Sequence, residues 1–400
     1  MTLRRKIERE IRERGPIPFS RYMELCLYDP ELGYYSRSTE QFGKAGDFYT
    51  SSDVHAVFGR LLARQFEEIW RVLGSPEQVE ILELGPGRGL FAQDVMDWSA
   101  KKFPEFFQAA HYTLAESSPA LRERLKANLS KHFTSGKASL LQWPKPPSYD
   151  GTYDTASVVP NSIAFERALA PEVPVIVFAN EFFDALPVEV LSPQGELHIS
   201  ENEGRLAETW SAASDEVLEF LDHYGVHPEA RERIEVPLIA QASMSRLAAA
   251  VNCGAVIAID YGYTREEQLA GRHRGTIAAY RQHSVSANPY EAPGEQDITA
   301  HVNFTALAAA LEQGGMQVQP LVTHSQFLMG IGEHNQFADA FEECRLPQER
   351  AKVGLQLKHL VTPAGMGETF HVLIASKGID PGKIAGLSGL RFGKNDPTTP

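Results

Sequence analysis

Cysteine is scarce in this chain, with only Cys26, Cys253 and Cys344 among 400 residues. Three thiols cannot form a paired framework, and none stands at a metal-ligand spacing from another. A disulfide scaffold and a cysteine-built zinc site are thereby excluded, and buried free thiols are expected. Long apolar runs are missing too: no stretch approaches the roughly 18 residues a spanning helix needs, so no membrane insertion is expected. The first ten residues mix Arg4, Arg5 and Lys6 with Glu8 and Glu10 and contain no apolar core. They do not read as a secretory leader, and their acids argue against a mitochondrial transit peptide, so a cytoplasmic location is expected. Basic charge is in deficit, with Lys and Arg numbering 38 against 52 Asp and Glu, a net charge of −14. Nucleic acid is therefore not expected as the main partner, since phosphate binding needs a basic surface. A cationic partner suits this charge, although acidic surfaces more often serve solubility.

What is present reads as an ordinary globular protein, 43% hydrophobic and without internal repeats. Residues 3–14 predict a polar helix ended by Gly15-Pro16, and 19–27 a second short one. A Gly- and aromatic-rich stretch, 33–50, carries neither hydrophobic period and predicts a loop. Over 53–73, Val57, Leu61, Leu62, Phe66, Ile69 and Leu73 fall on one helical face. From there strands alternate with helices. Strands are expected at 79–83, 112–116, 138–141, 173–179 and 255–260, with helices near 90–102 and 119–132. The runs 173–179 and 255–260 are continuously apolar, as buried parallel strands are. The pattern predicts an α/β fold, a parallel sheet with helices on both faces. Residues 144–172 read as an irregular insertion, and 188–250 as an inserted substrate-side subdomain. Residues 370–375 read as a strand at the sheet edge.

The sequence Glu83-Leu-Gly85-Pro-Gly87-Arg-Gly89 follows a strand and opens a helix. Glycines there let a ligand approach the backbone, and the helix start favours electron-rich groups. A dinucleotide fingerprint needs a glycine at position 90, which is Leu90, and an acid such as Glu83 repels a pyrophosphate. The pattern fits a nucleoside that carries methionine, S-adenosyl-L-methionine, and disfavours a nicotinamide oxidoreductase. Glu116 ends the second strand, where a carboxylate accepts hydrogen bonds from ribose hydroxyls. Glu83, Gly85, Gly87, Gly89 and Glu116 are thus candidate cofactor-binding residues, against the alternatives of a packing turn and a solvated strand end.

Asn180-Glu181-Phe182-Phe183-Asp184-Ala185-Leu186-Pro187 follows the fourth strand directly. Ligands of open α/β sheets bind beyond the carboxyl ends of the strands. The segment offers an amide, two acids and two aromatics, a set that suits a guanidinium, always charged and matched to carboxylates. Asn180, Glu181 and Asp184 are the candidate catalytic residues. The alternative for the two acids is capping of a helix that starts here, and for one of the two phenylalanines it is core packing. Asp47, in a glycine loop, is a cofactor candidate or a turn former. Asp260 is a substrate contact or a cap. His283 and His301 are proton acceptors or structural histidines, and no metal spacing joins them.

These residues resemble the MidA family of S-adenosylmethionine-dependent methyltransferases, relatives of an arginine methyltransferase that assists mitochondrial complex I assembly. The resemblance runs through Gly46-Asp-Phe-Tyr-Thr50, Phe58-Gly59, the 83–89 turn, Glu116-Ser-Ser, the 180–187 segment and Ile259-Asp-Tyr-Gly-Tyr263. It continues through Asp297-Ile-Thr-Ala-His-Val-Asn-Phe304, Gln326-Phe-Leu328 and Met366-Gly-Glu-Thr-Phe370. It implies a class I, Rossmann-like methyltransferase sheet with extra N-terminal and inserted elements. It implies that Gly85, Gly87 and Glu116 contact the cofactor and that the loop holding Gly46 and Asp47 folds over it. It also implies that 180–187 lines the methyl-transfer site, and that the substrate is an arginine of a partner protein such as a respiratory-complex subunit. Three features depart from the family: the 144–172 segment is long, Asn303 stands where an acid is expected, and the C-terminal tail is particular to this lineage. The expected partition is an extension over 1–75 that covers the cofactor, a core of 76–187 and 251–378, a subdomain of 188–250, and a flexible tail of 379–400. The alternatives are a small-molecule methyltransferase and a respiratory-complex assembly factor that binds the cofactor without catalysis.

Overall fold

The computed structural model describes residues 2–36, 56–142, 172–281, 284–286 and 288–392. Gly46, Asp47, His283 and nearly all of the expected 144–172 insertion lie outside the described residues.

Seven strands carry the central sheet: β1 (Val79–Leu84), β2 (Ala110–Glu116), β3 (Ala138–Gln142), β4 (Val175–Asn180), β5 (Gly254–Tyr263), β6 (Gln317–Val318) and β7 (Phe370–Lys377). Their spatial order is β3-β2-β1-β4-β5-β7-β6, and two short strands, Val302–Asn303 and Val322–Thr323, join β5 and β7. The first five are parallel to their neighbours, and β7 runs antiparallel to β5. The mostly parallel α/β sheet expected from the sequence is thus present. Strand β7 lies inside the edge, because β6 and Val322–Thr323 pair along its outer side.

Strand alternation sorts the core into two layers. Ile81, Tyr112, Ile176, Phe178, Ile257 and Val372 face one way, against the helices Ala56–Val72, Leu90–Lys102 and His324–His334. On that face Phe91 stacks on Phe178 with ring centroids 4.5 Å apart. Leu82, Leu84, Val177, Ala179, Val256 and Ala258 face the other way, against Leu238–Ala250 and Phe304–Gln313. The chain leaves β1 toward β2 on one side and returns to β4 on the other. The carboxyl ends of β1 and β4 therefore flank the reversal in strand order, where such sheets form their crevice.

Three parts of the expected partition come out differently. The helix Leu238–Ala250 packs on the sheet and not in an inserted subdomain, because Ala240, Met244, Leu247 and Ala248 complete the second core layer. The N-terminal helices Leu3–Arg14 and Phe19–Tyr28 share one apolar core with Val188, Val190, Leu197 and Ile199 of the insertion. Ile17–Pro18 even extends the insertion's antiparallel sheet, with Ile17 opposite Ile199. The tail begins later than expected. Residues 381–385 form a helix, Ile384, Leu387 and Leu390 enter the first core layer, and the Gly389 amide donates to Gln65 Oε1 at 3.1 Å. Apolar residues at a spacing of three give this segment a face to bury. Among the described residues no helix is long and apolar enough to cross a membrane.

Candidate active site

The glycine turn leaves β1 at the reversal point. Glu83, just before it, is buried and accepts a hydrogen bond from the Tyr112 hydroxyl of β2 at 2.8 Å. Burial raises its pKa to about 8, against the pull of that hydroxyl. Gly85, Gly87 and Gly89 all have positive φ, at 62°, 53° and 75°. Their surroundings differ. A Cβ on Gly85 would meet the Phe182 ring at 2.9 Å, and one on Gly89 would meet Leu125 at 2.5 Å and Leu129 at 3.0 Å. A Cβ on Gly87 would meet nothing within 4 Å. Gly89 seats the helix Leu90–Lys102 against its neighbour, whereas Gly87 keeps open a space beside the backbone.

Glu116 ends β2 as expected and is buried. Its Oε1 accepts from the Ser118 amide at 2.8 Å, and Ser118 in turn caps the helix Pro119–Asn128. Burial raises the Glu116 pKa to about 7, opposed by the Ser118 and Ser117 amides and by Arg122. A crevice lined by Tyr28, Tyr35, Ser117 and Ser118 adjoins this turn.

The segment after β4 is held by the neighbouring strand. The Glu181 amide still donates to Ile259 of β5 at 2.9 Å, then Glu181 turns left-handed at φ 49°. That conformation is uncommon for a residue with a Cβ. Asn180 Nδ2 donates to Glu181 Oε1 at 3.1 Å. Asp260, wholly buried, accepts from the amides of Phe183 and Asp184 on one oxygen, at 3.0 and 3.3 Å. Burial first, then the charges of Asp184 and Glu181, hold the Asp260 pKa well above the usual carboxylate range. Asp260 is thus the peg on which the segment hangs. Tyr261 beside it donates its hydroxyl to Asp184 Oδ2 at 2.5 Å. Asp184 Oδ1 is buried and makes no well-formed hydrogen bond among the described residues, although the amides of Asp184 and Ala185 lie close to the carboxyl. Burial raises the Asp184 pKa to about 6, while the Tyr261 hydroxyl and nearby backbone amides lower it.

No helix starts at 181–187, which is turn and irregular backbone, so helix capping does not explain Glu181 and Asp184. Phe183 joins the second core layer, whereas Phe182 lies partly exposed with its ring against Gly85. The methyl-transfer candidates and the glycine turn are thereby in contact.

Several residues enter the site that motif reading did not single out as its parts. Tyr28 donates its hydroxyl to the Ala185 carbonyl at 2.9 Å, and Tyr35 to Asp297 Oδ1 at 2.8 Å. Ser118 Oγ donates to the Tyr35 carbonyl at 2.8 Å, which ties the Glu116 turn to the same N-terminal piece. The Tyr28-Asp29-Pro30 and Gly33-Tyr-Tyr sequences signal a turn, and only tertiary contact turns them toward the sheet. His301 lies one layer back, its Nδ1 3.0 Å from His273 Nδ1 and its ring edge-on to Tyr261. Burial, with His273 nearby, lowers its pKa to about 4 and leaves it neutral at pH 7. Asn303 caps the helix Phe304–Gln313 by accepting from the Ala306 amide at 3.0 Å, and it donates to the Tyr224 carbonyl at 2.8 Å. An acid there could cap the helix but could not make the second bond.

The arrangement offers an open backbone at Gly87, a carboxylate at the second strand end, and an acidic segment across the reversal point. Those features fit a nucleoside whose reactive end points at acids. Comparison with known proteins agrees. The model of the family described as "Putative S-adenosyl-L-methionine-dependent methyltransferase" matches residues 61–322. The mitochondrial protein arginine methyltransferase NDUFAF7 homolog of Drosophila melanogaster is 29% identical, covering 94% of this chain and 85% of that protein. Human mitochondrial NDUFAF7, also named a protein arginine methyltransferase, is 27% identical, covering 90% of this chain and 80% of that one. A crystal structure of a COG1565 superfamily member from Burkholderia thailandensis, bound to S-adenosyl-homocysteine, superposes with a TM-score of 0.77. It is 26% identical, with 94% of this chain and 92% of that chain covered.

Proposed function

Because this chain belongs to the S-adenosyl-L-methionine-dependent methyltransferase family, we propose that it methylates an arginine side chain of a partner protein, with Glu181 and Asp184 gripping the guanidinium. The observation that carries this reading is Asp184: a buried carboxylate, clamped on one oxygen by Tyr261, whose other oxygen makes no well-formed hydrogen bond among the described residues. A buried acceptor left without a donor is costly, and a guanidinium N–H satisfies it. In the same reading Gly85 and Gly87 admit the cofactor's backbone-facing side, Gly46, Asp47 and Glu83 support it, and Glu116 holds its ribose. When bound, the cofactor supplies an electrophilic methyl group on a sulfonium. The chain's own part is then to hold and aim. Glu181 and Asp184 fix the guanidinium plane, Asn180 orients Glu181, and Asp260 keeps the segment rigid. Phe182, packed between the segment and the glycine turn, helps exclude water from the reacting atoms. Positioning of this kind supplies much of the rate in a direct displacement.

The test is to incubate lysate of a deletion strain with the enzyme and isotopically labelled cofactor, and to sequence the labelled protein by mass spectrometry. Label on arginine is the expected result. Label only on lysine, a terminus or a small molecule overturns the reading. The three free thiols suit a reducing compartment, and the cytoplasm is the location we propose. The NDUFAF7 relatives are named as mitochondrial, and fractionation of tagged protein distinguishes the two.

A further inference from the structure

A short strand outside both sequence motifs reaches the same site. Asp297–Thr299 is an outer strand of a three-stranded sheet with Ala278–Arg281 and Ser284–Ser286. Alternation turns Asp297 and Thr299 to one side, and cross-strand register sets Tyr280 opposite Asp297. Asp297 accepts the Tyr35 hydroxyl at 2.8 Å, and Thr299 lies beside the same Tyr261 that clamps Asp184. Directly after the strand, the Ala300 amide donates to the Asp184 carbonyl at 3.0 Å. The strand is therefore fastened to the acidic segment at its backbone and through its side chains.

Three phenols lie within reach of both acids. Burial raises the pKa of Tyr28, Tyr35 and Tyr280, and the charges of Asp297 and Asp184 raise each further. The Tyr28 and Tyr35 rings are 5.5 Å apart. Two carboxylates among aromatic faces form an environment for a planar cation, which aromatic rings and acids both attract. Among the described residues no basic side chain forms an ion pair or hydrogen bond with Asp184 or Asp260, whose partners are Tyr261 and backbone amides. Asp184 and Asp260, buried without an ion pair among the described residues, are costly, and a guanidinium offsets that cost where a neutral group does not.

Resting on the arginine reading above, we propose that Asp297 and Tyr35 form a second wall of the guanidinium site and select a planar cation over its neutral isostere. Neither residue belongs to the glycine turn or to 180–187. Their role is specificity, while Glu181 and Asp184 aim the nitrogen.

Calorimetry with two bisubstrate ligands tests this without knowledge of the substrate protein. One ligand joins the 5′ carbon of adenosine through a short alkyl chain to a guanidine, and the other to the isosteric urea. The wild-type protein is expected to bind the guanidine about 100-fold more tightly, as charge-assisted paired hydrogen bonds allow. Asp297→Asn is expected to bring that ratio below about tenfold, and Tyr35→Phe to lower it about threefold, as the loss of one partner in such a network does. Affinity for S-adenosylhomocysteine should stay within about twofold in both variants, since Asp297 bonds the Tyr35 hydroxyl, and Tyr35 meets the Glu116 turn through its carbonyl, which Tyr35→Phe keeps. If Asp297→Asn does not fold, Tyr35→Phe, which removes one hydroxyl, carries the test. A full ratio retained in folded variants overturns this inference alone. A parallel loss of S-adenosylhomocysteine affinity also overturns it, because the wall would then belong to the cofactor. A wild-type protein that binds the urea as tightly as the guanidine overturns the arginine reading and this inference together.

Discussion

At Glu181 a charged residue occupies a conformation that glycine adopts more readily, with φ at 49°. A left-handed residue with a Cβ costs about 1–2 kcal/mol, so the position keeps its side chain against a local penalty. Glu181→Gly is expected to leave the melting temperature unchanged or higher while methyl transfer falls by about 100-fold or more, as loss of a positioning group does. Thermal denaturation and initial rates on one preparation check both halves. Asp184 makes a second residue-level prediction. Burial raises its pKa to about 6, and only the ionised form attracts a guanidinium. A group required as its base form makes kcat/KM rise with pH through its pKa. The profile should climb between pH 5 and 7 with a midpoint near 6, and Asp184→Asn should be both slow and flat over that range. A wild-type profile already flat at pH 5 would remove Asp184 from the gripping role.

At the scale of elements, the glycine turn shows that one motif serves two purposes. Gly87 faces open space, and Gly89 faces Leu125 of the helix Pro119–Asn128 and Leu129 at its end. Gly87→Val should give a folded protein that no longer binds S-adenosylhomocysteine, because its side chain projects into the open space that the proposed site assigns to the cofactor. Both substitutions strain a positive φ, and Gly89→Val adds about 1–3 kcal/mol of overpacking against Leu125 and Leu129, with weaker binding as a consequence. Calorimetry beside thermal denaturation separates the two; equal loss of stability in both variants would defeat the distinction. The glycines were legible in the sequence as one turn between strand and helix. Their division of labour was not, because it depends on which helix packs behind each Cβ. The same holds for the two phenylalanines. Phe183 enters the core and Phe182 covers Gly85, a choice made by the left-handed turn at Glu181 and by the Asp260 peg 77 residues away.

Across the whole molecule, carboxylates are buried in unusual number near the sheet's carboxyl edge and in the adjoining sheet. Burial raises Glu83 and Glu189 to about 8, and Glu116 and Glu235 to about 7. An acid whose pKa is higher folded than unfolded holds its proton better in the native state. Stability then falls as pH rises from the unfolded value near 4.5 to the folded value, and levels off beyond it. His301 and His324, lowered to about 4 from 6.5, oppose this trend weakly up to about pH 7.5, where the unfolded imidazoles finish losing their protons, and not above it. The melting temperature of the ligand-free protein should therefore drop by about 2–5 °C between pH 6.5 and 8.5, given the shift expected per kcal/mol at this size. A rise over that interval would show that these carboxylates are ionised in the folded protein.

The chain's own order of residues determined the alternating strands and helices, the glycine turn, the acid ending β2 and the acidic segment after β4. Each of these rests on contacts within a turn or a period, which a linear pattern records. The tertiary structure alone decided that residues 17–36 and the strand 297–299 lie against the candidate site. Tyr35 and Asp297 meet across 262 positions, and Tyr28 meets Ala185 across 157. Hydrogen bonds that long leave no periodicity behind, because which buried hydroxyl finds which acceptor is set by how the layers pack.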